Sequence, residues 1–108
     1  MVKLVKIVKS SNSAKKFDAI FMVDGKEKST SFGSNGMRDY TLISNKSSKW
    51  YLPKILDRNV VRDSYRRRHK KDLDTKDPMR AGYLSYYLLW NKKTLASSIK
   101  DYKKKFKL

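Results

Sequence analysis

The stretch Phe17-Asp18-Ala19-Ile20-Phe21-Met22-Val23-Asp24-Gly25 decides how the first half of this chain folds. Phe17, Ala19, Phe21 and Val23 alternate with Asp18, Ile20 and Met22, which is the period-2 pattern of a strand with one apolar face. Asp24-Gly25 follows at once, a dipeptide favoured in two-residue hairpin turns because both central residues take φ > 0. Lys26 to Phe32 returns as the second arm, with Lys26, Lys28 and Thr30 on one side and Glu27, Ser29 and Ser31 on the other. So weak a pattern suits a sheet edge, where charges discourage pairing with another chain. Upstream, Val2 to Val8 is rich in β-branched residues, with a lysine at every third position, and Ser10-Ser11-Asn12-Ser13 ends it. A small antiparallel sheet of three strands is predicted.

Gly33-Ser34-Asn35-Gly36 reads as a connecting loop. A phosphate cradle of backbone N–H groups is the sharper alternative, but the spacing and the Lys-Ser/Thr ending of a nucleotide loop are missing. Asp39 to Ile43 reads as a short strand or extended segment, and residues 44–53 as a linker: polar Ser44 to Lys49, then Trp50-Tyr51-Leu52-Pro53 leading into helix.

Residues 54–106 read as three helices. The first runs from Lys54 to Lys70, with Leu52, Ile55, Leu56, Val60 and Tyr65 supplying apolar contacts. Arg58, Arg62, Arg66 and Lys70 fall at four-residue steps and form one slowly drifting basic stripe. Asp72 to Lys76 breaks this helix. Asp77-Pro78 is a start signal for the second, an N-cap acid followed by proline at N1. Met79, Tyr83, Tyr86 and Trp90 form a stripe, and Leu84, Tyr87, Leu88 and Leu89 fill much of the rest, so this helix should be central and buried. Gly82 should let a neighbouring element approach. Thr94 caps the last helix, where Leu95, Ile99, Tyr102 and Phe106 recur at amphipathic spacing. The fold class is therefore α+β: one domain, 1–43 mostly β, with an N-terminal antiparallel hairpin sheet packed against three C-terminal helices.

The 108 residues carry 27 Lys+Arg, 10 Asp+Glu and one His, a net charge of +17. Aromatic content of 12% is too high for a disordered polybasic tail, so the charge belongs to a folded domain. The absence of cysteine removes disulfides, thiolate metal sites and cysteine nucleophiles. No apolar run is long enough for a membrane span, and the lysines threaded through the first nine residues leave no apolar region for a secretory signal. A soluble, intracellular protein is expected. Residues 1–53 hold 10 basic and 4 acidic side chains, against 17 and 6 in residues 54–108. The second half is thus the more attractive to a polyanion.

The run Arg66-Arg67-Arg68-His69-Lys70-Lys71, preceded by Arg58 and Arg62, is the main candidate site. Arginine pairs bidentately with phosphate oxygens and keeps its charge. Such a run also suits a nuclear-import signal. Lys103 and Lys104, with Lys105 and Lys107, make a second patch. Tyr65 is the best base-stacking candidate, followed by Trp50 and Tyr51, whereas the aromatic stripe of the central helix reads as core. No zinc-finger, RNA-recognition or basic-zipper signature is present, so backbone neutralisation rather than base readout is expected. His69, with Asp63, Asp72 and Asp74 nearby, could be imagined as a metal or general-base site. Without a second histidine or a nucleophile it reads as a helix-end cation. Asp57, Asp63 and Asp101 are expected to pair with cations, Asp63 with Arg67. No cofactor is implied.

Asp77-Pro78-Met79-Arg80-Ala81-Gly82 and Leu88-Leu89-Trp90-Asn91-Lys92-Lys93-Thr94-Leu95 carry a further signal. With Ser98-Ile99, Asp101, Lys103 to Phe106 and, upstream, Phe32-Gly33, Asp39-Tyr40-Thr41 and Arg66 to His69, they resemble a family of small basic proteins. That family is encoded by large double-stranded DNA viruses of algae and amoebae. The resemblance runs over roughly residues 15–106, and the serine-rich run Ser44 to Lys49 is longer than the family's version. It implies a viral origin, a virion-associated or structural role and a place in the virion or the infected cell, and it brings no catalytic residues. The expected function is thus non-enzymatic: binding of nucleic-acid backbone, double-stranded DNA foremost, without sequence specificity, to package or tether a genome. The alternative is a minor capsid protein whose charge meets acidic surfaces of shell proteins.

Overall fold

A computed structural model describes all residues 1–108. Three strands, β1 (Val2–Lys9), β2 (Lys15–Val23) and β3 (Lys26–Ser34), form an antiparallel sheet in the order β1-β2-β3. The hairpin turn between β2 and β3 has Asp24 at φ 50° and Gly25 at φ 81°, as the Asp-Gly pair requires. Ala19, Phe21 and Phe32 are fully buried on the sheet's inner face. β3 is an edge, as its polar pattern suggests.

A bulge explains the three-residue lysine rhythm of β1. Leu4 lies opposite Phe21 but Lys6 lies opposite Ile20, so Val5 is an extra residue in the ladder. Without it, Leu4 and Ile7 would point to opposite faces. With it, both face inward and Lys3 and Lys6 both face out.

The loop expected at Gly33 begins later. Gly33 and Ser34 still belong to β3, where Ser34 pairs with Lys15, and Gly33 has φ 77°. A Cβ at this position would stand 2.8 Å from Leu89 Cδ1, so the glycine sets the approach between the sheet and the aromatic segment. Asp39 to Ile43 is not a strand. Tyr40–Ile43 is a single helical turn, α1, because the buried Asp39 carboxylate caps it: Oδ1 accepts from the Leu42 N–H at 3.0 Å. Lys16 Nζ donates to the other oxygen at 2.6 Å, which ties α1 to β2. The polar run after α1 is folded into turns, closed by the Leu52 N–H donating to the Ile43 carbonyl at 2.9 Å.

Helix α2 (Ile55–His69) has the extent expected of it and passes into a 3-10 segment, Lys70–Thr75. The next helix starts three residues later than Asp77-Pro78 suggests. Asp77 accepts from the Met79 N–H at 3.0 Å and makes a turn, and α3 (Ala81–Leu84) follows. α3 widens into a π-helical stretch, Ser85–Leu89, closed by the Trp90 N–H on the Ser85 carbonyl at 3.2 Å. The wider turn brings Tyr86, Leu88, Leu89 and Trp90 all into the interior. Gly82 packs against the Asp72 side chain, as expected of it. α4 (Leu95–Phe106) starts where Thr94 accepts from the Ser97 N–H, and its Tyr102 is fully buried. The Tyr102 hydroxyl donates to the Pro78 carbonyl, and burial, then Asp77, pushes its pKa well up.

One core joins sheet and helices, and Trp90 belongs to its buried cluster with Phe21, Phe32, Ile43, Leu84 and Tyr102. Trp90→Ala should lower stability by about 3–5 kcal/mol. Chemical unfolding monitored by circular dichroism reads this directly, and an unchanged midpoint would contradict the central place of the segment.

Candidate nucleic-acid interface

The arginines expected to form a binding stripe are divided by the fold. Arg58 is buried, with its guanidinium 5.9 Å from the Tyr51 ring and no partner for Nε. Arg62 is half-buried, 4.8 Å from the Tyr40 ring. Its Nη1 donates to the Asn91 carbonyl at 3.4 Å and its Nε to Asp63 at 3.1 Å. Arg66 is held most closely of the three. Its Nη1 donates to the Trp90 carbonyl at 2.7 Å and its guanidinium lies 4.1 Å from the Tyr86 ring. These three residues face the protein, not solvent.

The rotation of α2 follows from which contacts are stronger. Arg58, Val61, Arg62, Tyr65 and His69 recur at helical spacing on its inner side, and Val61 and Tyr65 pack on the core. Long arginine stems cover apolar surface while the guanidinium sits on aromatic faces and caps carbonyls at the end of the π-helical stretch. Ile55, Leu56 and Val60, expected to supply apolar contacts, are 52%, 77% and 65% exposed. The helix therefore turns Ile55, Leu56 and Val60 out and Arg58, Arg62 and Arg66 in.

Tyr65 is not open to a base. Its ring stacks on His69 at 4.1 Å and on Trp90 at 4.4 Å with a 10° interplanar angle, so both faces are covered. Burial raises its pKa, with Asp72 a lesser cause. His69 meets Asp72 alone of the three nearby carboxylates, at 3.2 Å from Nδ1. Asp63 pairs with Arg62 rather than Arg67. Asp101 accepts from Asn91 at 2.8 Å and has no ion pair.

What remains outward is the second half of the candidate run. Arg67, Arg68, Lys70 and Lys71 are exposed at the end of α2 and the start of the 3-10 segment. Lys103 and Lys104 are exposed on α4. Sequence reasoning missed a cleft between the sheet and α2, lined by Lys15, Arg38 and Arg68 among others. Its parts lie far apart in the chain, and no local pattern joins them.

Residues 5–49 match a family described as "Family of unknown function (DUF5754)". The matched segment holds most of β1, all of β2 and β3, and α1, and it stops before α2. It leaves out Asp77 to Phe106, on which the viral resemblance chiefly rests. Neither the curated proteins nor the solved structures contain a match. No helix is long and apolar enough to cross a membrane.

Arg66→Lys should destabilise the protein by about 2 kcal/mol, because an ammonium cannot stack on Tyr86 and reach the Trp90 carbonyl in one plane. Arg67→Lys, one residue on and exposed, should change stability by less than about 0.5 kcal/mol. Urea unfolding of the two variants checks the difference, and equal effects would remove the structural role of Arg66.

Proposed function

We propose that the protein is a non-enzymatic basic protein that binds the phosphate backbone of nucleic acid without reading sequence, and so helps package or tether a genome. A viral, virion-associated setting rests on the resemblance of Asp77 to Phe106 and is part of this proposal. The observation that carries the reading is the near absence of internal neutralisation. Of 27 Lys and Arg, only Lys16, Arg62 and Arg80 lie within 4.0 Å of a carboxylate. All the others except Lys15, Arg58 and Arg66 are also exposed.

Unpaired cations on a folded surface repel one another, and a polyanion relieves that repulsion while releasing its condensed counterions. The proposed contacts are Arg67, Arg68, Lys70 and Lys71, with Lys103 and Lys104 as a second patch. Arg58, Arg62, Arg66 and Tyr65 act through the fold and not on the ligand. His69 is given no catalytic part, since its ring is occupied by Tyr65 and Asp72.

Affinity for duplex DNA should fall linearly with log salt and differ little between sequences, with each lost phosphate contact reducing the slope by about 0.9. Replacing Arg67, Lys70 and Lys71 by Ser should reduce the slope by roughly 2–3 units. The same change at Lys26, Lys28 and Lys46 removes equal charge from other exposed positions and should reduce it less. Filter binding or fluorescence anisotropy over a salt series measures both. Equal losses would reduce the site to diffuse charge, and no binding at about 0.1 M salt would favour acidic capsid surfaces as the partner.

A further inference from the structure

A cleft of about 700 Å³ opens where β2, β3, α2 and α3 meet. Four Lys and Arg side chains line it: Lys16 is paired with Asp39, whereas Lys15, Arg38 and Arg68 have no carboxylate within 4.0 Å. The two carboxylates in its wall are already engaged: Asp39 by Lys16 and the α1 backbone, Asp72 by His69. The cleft therefore presents unpaired cations beside acids that already have partners.

Its rim is partly apolar. Met37 is 61% exposed and Val60 65% exposed, and both line the opening, with Leu89 deeper in. Exposed aliphatic side chains next to unpaired cations suit a ligand with an anionic end and a flat, weakly polar body. Ser64, also in the wall, leaves its hydroxyl for a sugar oxygen. A phosphodiester backbone alone would have no use for the apolar part of the rim.

We propose that this cleft binds a nucleoside monophosphate, with the phosphate on Arg38, Arg68 and Lys15 and the base against Met37, Val60 and Leu89. The phosphate monoester can come from a free nucleotide or from the phosphorylated end of a strand. The site shares Arg68 with the outer surface's proposed contacts, whereas Lys15 and Arg38 belong to the sheet half of the molecule and take no part in them.

Isothermal titration of the full chain with adenosine 5′-monophosphate, at about 0.15 M NaCl, should show saturable binding of one nucleotide per chain. Inorganic phosphate and ribose 5-phosphate should bind at least about tenfold more weakly, because they lack the base. The double variant Arg38→Ser with Arg68→Ser should weaken AMP by about tenfold or more, while Lys103→Ser with Lys104→Ser, equal in charge, should change it less than about twofold. All four side chains are exposed, and circular dichroism verifies that both variants fold. Val60→Glu, an acid placed on an exposed lip, should also weaken AMP. Competition separates the two sources: a short strand carrying a 5′-phosphate displaces AMP better than its 5′-hydroxyl counterpart if strand ends are the ligand, and neither displaces it if free nucleotide is. The proposal is overturned by the absence of saturable AMP binding, by phosphate binding as well as AMP, or by equal losses in the two double variants.

Discussion

The seating of α2 on the aromatic segment by its own arginines is the constraint on which the helical half depends. Arg66 joins the helix to the Trp90 carbonyl and the Tyr86 ring, and Arg62 joins it to the Asn91 carbonyl and the Tyr40 ring. Tyr65 stacks on Trp90 between them. The two carbonyls follow the π-helical stretch and would otherwise lack partners, so the guanidinium groups remove a penalty as well as adding attraction. Arg58 shows the opposite side of the balance. Its Nε is buried without a partner, at an expense of roughly 1–3 kcal/mol that packing on Tyr51 must offset.

This arrangement assigns the positive charge to two tasks. Cations at the inner face of α2 are structural, and those beyond it are the ones proposed to meet ligands. The same helix holds both kinds because consecutive residues point about 100° apart: Arg66 faces Tyr86 while Arg67 and Arg68 turn to solvent. Arg68 also borders the cleft, so the end of α2 is where the proposed backbone-binding surface and the proposed nucleotide site meet.

The sheet was legible because its signals are local. Alternation in β2, the Asp-Gly turn and the polar third strand each act within a few residues, and the structure follows them. α4 was legible for the same reason, with a threonine cap and one amphipathic face. The misread segment at Asp39 and the misread face of α2 depend on distant partners. Asp39 could be seen as a helix cap only if Lys16 was known to neutralise it inside the protein. The face of α2 looked aliphatic because Ile55, Leu56 and Val60 are its obvious apolar residues, yet aromatic rings brought from Tyr40, Tyr51 and Tyr86 made arginine the better inward residue. One signal was available: arginines at four-residue steps in a chain with seven tyrosines, where stacking can replace apolar packing. The candidate binding residues divided along the same line, since exposure at Arg67, Arg68, Lys70 and Lys71 could not be separated from burial at Arg58 without the helix's orientation.

The inward placement of Arg58, Arg62 and Arg66 is tested most directly by side-chain relaxation of the arginine Nε–Hε groups, measured by nuclear magnetic resonance on the free protein. Fast motion is restricted where a guanidinium is packed and free where it is solvated. Arg58, Arg62 and Arg66 should show order parameters close to those of the backbone, while Arg67 and Arg68 should be markedly lower. Equal mobility along all five arginines of α2 would contradict the account.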